Sequence, residues 1–360
     1  MKIEEIDKNF RTAETDGRKW TFFNAMEAPA VLSGFPWYEG VGPLSRLPAQ
    51  IMPLVNEGVR SLTFNTSGGM IRFKTDATAI AIDVDLYEPC DMNHMPRNGS
   101  AGFDLYLGSG TDKVYYRSAM PDSGAKKLTA MMAWDLKPGI MREWTLYLPL
   151  YGGASRIEVG VTPGSTVEAP TPFTYPEPVV FYGSSITQGG CASRTGNAYS
   201  NILCRWFDAN EVNLGFSGSG KGEPAVAETI AALPMSAFVL DYDHNAPTPE
   251  YLEQTHEPFF RTIRERQPEL PVLMISKCDY VDDPVINQRR DIIRKTYEHA
   301  VAQGDRNVWF IDGETLFAGP DRDSCMVDGC HPNDLGFYRM ATVIRPVLAA
   351  ALAASGVKCR

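Results

Sequence analysis

Pro178-Val179-Val180-Phe181-Tyr182-Gly183-Ser184-Ser185-Ile186-Thr187-Gln188-Gly189 decides how this 360-residue chain is read. An apolar run enters a glycine-bounded turn carrying two serines, the pattern of a buried strand that delivers side chains at its carboxyl end. Open α/β sheets place their ligands at such turns. A serine there is a nucleophile only if an imidazole base and oxyanion donors are brought to it. Otherwise it caps a helix or shapes a turn.

Two later stretches can supply those groups. One is Asn213-Leu214-Gly215-Phe216-Ser217-Gly218, and the other is Asp328-Gly329-Cys330-His331-Pro332-Asn333-Asp334. Asp328 and His331 stand three apart on one short segment. The carboxylate can then hold Nδ1 of the imidazole while Nε2 faces the serine. The alternative is that Asp328 caps a turn and His331 is incidental. His256 and His299 fall in helical patterns and read as residues of solvated faces.

The three blocks in this order resemble the SGNH, or GDSL-type, hydrolase superfamily, over roughly residues 176 to 360. The family's first block is commonly Gly-Asp-Ser, and here it is Gly183-Ser184-Ser185. The continuation Ser185-Ile186-Thr187-Gln188-Gly189 points to Ser185, not Ser184, as the family serine. Asp328, His331 and Pro332 match the Asp-x-x-His-Pro block in full, whereas His94, with Asp91 before it, is followed by Met95. The resemblance implies that Ser185 is the nucleophile, His331 its base and Asp328 the orienting acid. It implies oxyanion donors in the backbone amides of Ser185 and Gly218 and in an asparagine side chain. The usual Gly-x-Asn-Asp block is absent, and Asp241-Tyr242-Asp243-His244-Asn245 stands in its place. Asn245 takes the donor role in this reading, unless it merely starts the turn before Pro247.

Outward from the serine turn, candidate strands are Val179 to Tyr182, Val212 to Leu214, Ala237 to Asp241, Val272 to Ser276 and Val308 to Ile311. Helical patterns run from Pro249 to about Gln267, from Val285 to about Ala302 and from Asp334 to Ala353. This alternation predicts a parallel sheet with helices on both faces, the flavodoxin-like fold that the resemblance also implies. Before it, Ile80, Ile82, Val84 and Leu86 alternate with Ala81, Asp83, Asp85 and Tyr87. Similar alternation at Phe103 to Leu107, Leu146 to Leu150 and Ile157 to Val161 predicts an all-β sandwich or jelly roll. A proline-rich stretch from Pro163 to Pro178 reads as a stiff connector. The expected domains are therefore 1–172 and 173–360.

The formal net charge of -10 argues against a nucleic-acid partner and disfavours anionic membranes. Residues 1 to 10 contain no signal-like apolar region, and no apolar run is expected to reach the ~20 residues of a membrane span. Seven cysteines without a CxxC pair suggest a reducing compartment, hence the cytoplasm, and no zinc ribbon. Cys191 and Cys330 flank two of the blocks and read as packed thiols rather than as a disulfide or redox pair. No cluster has metal-ligand spacing, and the triad chemistry calls for no cofactor. The polar stretch 90–99, with Asn93 and His94, and Trp37 beside Tyr38 are candidate sugar contacts; solvated-loop and core roles are the alternatives.

The expected activity is that of a serine esterase deacylating a carbohydrate through an acyl-enzyme. Layout and short blocks such as Gly189-Gly190-Cys191-Ala192-Ser193 resemble the two-domain mannan O-acetylesterases of carbohydrate esterase family 17. Their β-sandwich is carbohydrate-binding-module-like. The alternatives are a lipase-like or acyltransferase activity, or a sugar-binding protein on an inactive hydrolase scaffold. Ser184 and the missing Gly-x-Asn-Asp block motivate the last of these.

Overall fold

In the computed structural model, residues 10–15, 17–88, 90–278 and 283–356 are described, and residues 1 to 9 of the segment read above for a signal lie outside them. The chain divides into two compact units. The first comprises residues 1–46, 64–172 and 194–196, and the second residues 47–63, 173–193 and 197–360. The second thus claims a segment, 47–63, that the sequence assigns to the β-domain. That segment carries no strand alternation. It forms a 3-10 turn, Ala49–Leu54, and a short helix, Glu57–Leu62.

The first unit is a two-sheet sandwich. One sheet orders β1 (Phe10–Thr15), β2 (Arg18–Asn24), β10 (Gly153–Val161), β5 (Ile80–Tyr87) and β8 (Lys127–Ala133). The other orders β11 (Val167–Glu168), β4 (Met70–Thr75), β9 (Arg142–Tyr147), β6 (Phe103–Leu107) and β7 (Val114–Ala119), with β3 (Val31–Ser33) against β4. The chain switches sheets between β2 and β3, at each step from β4 to β6 and at each step from β7 to β11, as in a jelly roll. Inward residues of both sheets make one core, including Phe23, Phe73, Ile82, Phe103, Trp144, Leu146 and Val159. The Leu146–Leu150 alternation outruns its strand, because β9 ends at Tyr147. Part of the proline-rich connector is itself ordered into this unit: β11 pairs with β4, and Thr171 donates to Glu143 Oε2 through N (3.1 Å) and Oγ1 (2.7 Å).

The second unit holds a parallel sheet ordered β13 (Ala209–Gly215), β12 (Tyr175–Gly183), β14 (Ala237–Asp241), β15 (Val272–Ile275) and β16 (Val308–Ile311). From β12 the chain steps to one side, then returns across it to the other. The strand order therefore reverses at β12, the switch point at which such sheets open a crevice. Register sets the strand ends level, since Gly183 pairs with both Gly215 and Asp241. Three loops consequently leave the sheet side by side.

The last helix, Asp334–Ala354, is long and apolar enough by length and composition to cross a membrane, contrary to the sequence expectation. Its buried residues Phe337, Met340, Ala341, Ile344, Leu348, Ala351 and Leu352 recur every three or four positions. They form the stripe of a core helix, packed on the helix Tyr199–Phe207 and on β14 and β15.

Glu211 on edge strand β13 is fully buried, near Ser200 and Asn213. Burial pushes its carboxyl up to about 7, against the pull of Ser200, Asn213 and Arg205. The native state therefore holds this proton more tightly than the unfolded chain. The stability it contributes is full below about pH 4.5 and is lost as the pH rises through 7. Glu211→Gln should raise the melting temperature by several degrees at about pH 8 and by much less at about pH 5. Equal shifts at both pH values in thermal melts would contradict this.

Candidate functional site

At the end of β12 the backbone enters a single helical turn, Ser185–Gln188. Ser184 caps it, its Oγ accepting from Ile186 N (3.2 Å), and its own N–H donates to Asp241 O (3.2 Å). Ser184 is thus a buried cap, the task a short polar side chain performs at this position. Ser185 stands at the first helical position, 8% exposed. Its Oγ lies 2.9 Å from His331 Nε2.

His331 comes from a tight loop closed on itself. Met326 bridges Pro332, and Val327 N donates to His331 O (2.9 Å). Asn333 caps the last helix through Leu335 N and Gly336 N, while Asp334 accepts from Ser193 N (2.8 Å). The loop is thereby anchored beside the serine turn. Inside it Asp328 Oδ2 is 2.8 Å from His331 Nδ1, and Oδ1 accepts from His331 N (2.8 Å) and Cys330 N (3.0 Å). Partial burial works to raise the Asp328 carboxyl, but the amide and ring of His331 and the amide of Cys330 outweigh it and hold the group down at about 2. An ionised Asp328 fixes the proton on Nδ1 and leaves the Nε2 lone pair for the serine hydroxyl.

The second loop begins after β13. Ser217 N donates to Gln188 Oε1 (2.9 Å), and Phe216 O accepts from Ser219 N, Gly220 N and Asn245 Nδ2, each at 2.9 Å. Gly218 is exposed in the left-handed region, φ 65°, and no described hydrogen bond uses its N–H. No described protein atom crowds its Cβ position, and the left-handed backbone favours glycine there. Asn245 neither floats in a turn nor stands apart: its amide ties the β14 loop to the Gly218 loop.

Other sequence assignments change. His256 is not solvated but buried. Its Nδ1 lies 2.9 Å from Thr296 Oγ1, its ring stacks on Tyr242, and burial pushes it down to about 3. His299 does lie at the surface, paired with Glu257 at 3.1 Å. His244 also has an aspartate three residues before it, Asp241, a spacing the sequence reading overlooks. Asp241 Oδ2, however, accepts from the Thr187 and Tyr199 hydroxyls, both at 3.0 Å. Asp241, Asp243 and His244 place possible ligand atoms within 4.8 Å of one another. Burial pushes the Asp243 carboxyl up to about 6 despite Lys277 and Arg289, and burial first, then Lys277, holds His244 down. Asp243 Oδ1 and His244 Nε2 are buried without a hydrogen-bond partner among the described residues. Cys191, in the left-handed region at φ 74°, holds a thiol pushed up to about 12 by burial and then by Asp328 and Cys330. No disulfide forms among the described cysteines.

In the first unit, His94 Nδ1 and Asn93 Oδ1 lie 3.3 Å apart at the surface, in a loop pinned by Arg97 Nε to Asp91 Oδ1 (2.5 Å). Trp37 is half-buried and Tyr38 packs on the sandwich core. Sequence reading passed over Arg194, which donates to Asp104 Oδ2 (3.0 Å) and to the Tyr106 hydroxyl, with its guanidinium 4.1 Å from the Tyr115 ring centroid.

Residues 176–349 match the GDSL-like Lipase/Acylhydrolase family, and residues 20–167 match a family described as the N-terminus of SGNH-hydrolase-type esterases. The latter is named GxDLY, which this chain carries as Gly102-Phe103-Asp104-Leu105-Tyr106. Among solved structures, a GDSL-like protein of Bacteroides ovatus ATCC 8483 is 28% identical, with TM-score 0.82 over 93% of this chain and 98% of that one. A salicylyl-acyltransferase, SsfX3, from a tetracycline biosynthetic pathway is 22% identical, with TM-score 0.74 over 92% and 97%. A family two carbohydrate esterase from Clostridium thermocellum, solved with cellohexaose, is 14% identical, with TM-score 0.59 over 81% and 94%. No curated protein sequence matches the chain.

Because Asp328 stays ionised well below neutrality, the acid limb of kcat/KM should follow a single proton down to about pH 4. A limb of slope two would show a second group titrating. Asp328→Asn should lower kcat by roughly 10² to 10⁴ through loss of the fixed tautomer, read in steady-state kinetics on an aryl acetate.

Proposed function

The chain belongs to the GDSL-like lipase/acylhydrolase family and is an SGNH-type acylhydrolase, and from that premise we propose a serine esterase that removes acyl groups, O-acetyl above all, from carbohydrates. One observation carries the mechanism: Ser185 Oγ, His331 and Asp328 form an unbroken line of contacts of 2.9 and 2.8 Å. Ser185 Oγ attacks the ester carbonyl carbon as its proton passes to His331 Nε2. The oxyanion is met by the amides of Ser185 and Gly218 and by the Asn245 side chain. The carbon–oxygen bond to the sugar then breaks, and His331 returns the proton to the leaving hydroxyl. Water repeats the attack on the acyl-enzyme with His331 as base, releasing the carboxylic acid and restoring Ser185.

The sugar half of the proposal, mannan-type oligosaccharides first, rests on the two-domain layout and the Gly189-Gly190-Cys191-Ala192-Ser193 block; the family two carbohydrate esterase, solved with cellohexaose, is like this chain in fold alone. Asn93, His94 and Trp37 remain its candidate sugar contacts, the sandwich its carbohydrate-binding-module-like part, and the cytoplasm its location. A second reading, transfer of the acyl group to an acceptor other than water, is favoured by the likeness to SsfX3. Hydrolysis screened over acetylated manno-oligosaccharides, other acetylated sugars and aryl esters of rising chain length separates these readings. Release of acetate from the sugars at rates well above those on long-chain esters is the expected result.

Ser185→Ala and His331→Ala should each lower kcat by about 10⁴ to 10⁶, and the double variant should be little worse than either. Multiplicative losses would mean that the two residues do not share one step. Asn245→Ala should lose roughly 10² to 10³ in kcat with KM nearly unchanged. Wild-type kcat in that variant would remove Asn245 from the oxyanion site.

A further inference from the structure

The segment 47–63, although it comes from the β-rich half of the sequence, lies in the α/β unit, and it touches the loop that presents Gly218. Asn56 caps the helix Glu57–Leu62 by accepting from Val59 N (3.0 Å). That occupies its oxygen and turns its amide nitrogen toward the loop. There Nδ2 donates to Ser219 O (2.8 Å), 163 residues away in sequence, and to Glu223 Oε1.

Glu223 is the other half of the contact. Its Oε2 accepts from the Tyr182 hydroxyl (3.0 Å) and from Lys221 N (3.2 Å), while Gly222 N donates to that same hydroxyl (2.8 Å). Tyr182 is the last side chain of the nucleophile strand before Gly183. One carboxylate therefore links the serine strand, the far end of the Gly218 loop and Asn56. Below the loop, Gly58 approaches so closely that a Cβ built on it would stand 2.0 Å from Ser219 Oγ. Gly218 itself makes no described hydrogen bond and is held only through its neighbours: Phe216 and Ser217 on one side, Ser219 to Gly222 on the other.

We propose that Asn56 is a positioning residue for acyl transfer, pinning Ser219 and Glu223 so that the Gly218 amide stays aimed at the developing oxyanion. The proposal rests on the serine-esterase reading above and deepens it. A segment of the N-terminal half is part of the reactive site in this account. A donor displaced by about 1 Å forfeits much of its effect on the transition state while binding of the ground state is little changed.

Asn56→Asp is the informative variant. Its carboxylate still caps Val59, but it cannot donate to Ser219 O and it meets the Glu223 carboxylate head-on. In the full chain, kcat on an aryl acetate and the rate of Ser185 labelling by an aryl phosphonate should each fall about 10- to 100-fold, with KM within about twofold. Adding Glu223→Gln supplies an amide donor toward the introduced carboxylate while keeping an acceptor for Tyr182 and Lys221, and should recover part of both rates. Gly58→Ala, which pushes on Ser219, should copy the Asn56→Asp pattern. Wild-type rates in a folded Asn56→Asp protein overturn the proposal. So does a loss that follows a fall in melting temperature and that the second substitution does not reverse. Ser185→Ala is run beside them: if it stays active and the phosphonate labels elsewhere, the esterase reading falls and this one with it. An inactive Ser185→Ala beside a fully active Asn56→Asp sinks the positioning role alone.

Discussion

The constraint on which the rest of the site depends is the register of three parallel strands. Gly183 of β12 lies level with Gly215 of β13 and Asp241 of β14. The nucleophile and the candidate oxyanion donors all lie within four residues of that line: Ser185 after the first glycine, Gly218 after the second, Asn245 after the aspartate. A slip of one residue would turn alternate side chains to the other face and break the hydrogen bonds that cross between the loops. Those crossings are short and reciprocal. Ser184 N reaches Asp241 O, Gln188 accepts from Ser217 N, and Asn245 donates to Phe216 O. The loops hold one another, and the sheet holds their roots.

The base arrives differently. His331 belongs to no strand of the sheet and is presented by a loop that the Met326–Pro332 bridge and the Asn333 cap close at its ends. Its partner Asp328 sits three residues earlier, 38% exposed, and stays ionised because hydrogen bonds outweigh its partial burial. This is a carboxylate kept charged by its own loop, and it needs no buried ion pair. The polar cluster of Asp241, Asp243 and His244 is built on the opposite principle, since burial there outweighs Lys277, Arg289 and the neighbouring hydroxyls and pushes both carboxyls up. The two arrangements stand side by side, and only the first leaves an imidazole facing a hydroxyl.

Much of this was legible in the chain itself. β14 and β16 run where the sequence places them, the apolar runs Ala237 to Leu240 and Val308 to Ile311 marking parallel strands without alternation. Asp328 and His331 are local in sequence, so their spacing suggested the pair, whereas Ser185, 146 residues away, was joined to them by the family resemblance. What escaped reading is what depends on distant contacts. Residues 47–63 contain apolar residues without a period, and only distant contacts, among them the bonds to Ser219 and Glu223 and the packing of Ala49–Leu54 on the helix Pro224–Ala231, assign them to the α/β unit. His256 looked solvated because a helical pattern says which residues share a face, not which face is covered; Tyr242 and Thr296 cover it. The apolar helix Asp334–Ala354 is likewise a core element by its neighbours and not by its composition.

The account stands on a covalent intermediate at Ser185. Acid quenching during turnover of an aryl acetate, followed by peptide mass spectrometry, reads it directly. An acetyl group on the peptide carrying Ser185, accumulating more when water attack is slowed and missing from Ser185→Ala, is the predicted result. Acetyl on Ser184 or Cys191, or steady turnover with no acylated serine under any condition, would contradict it.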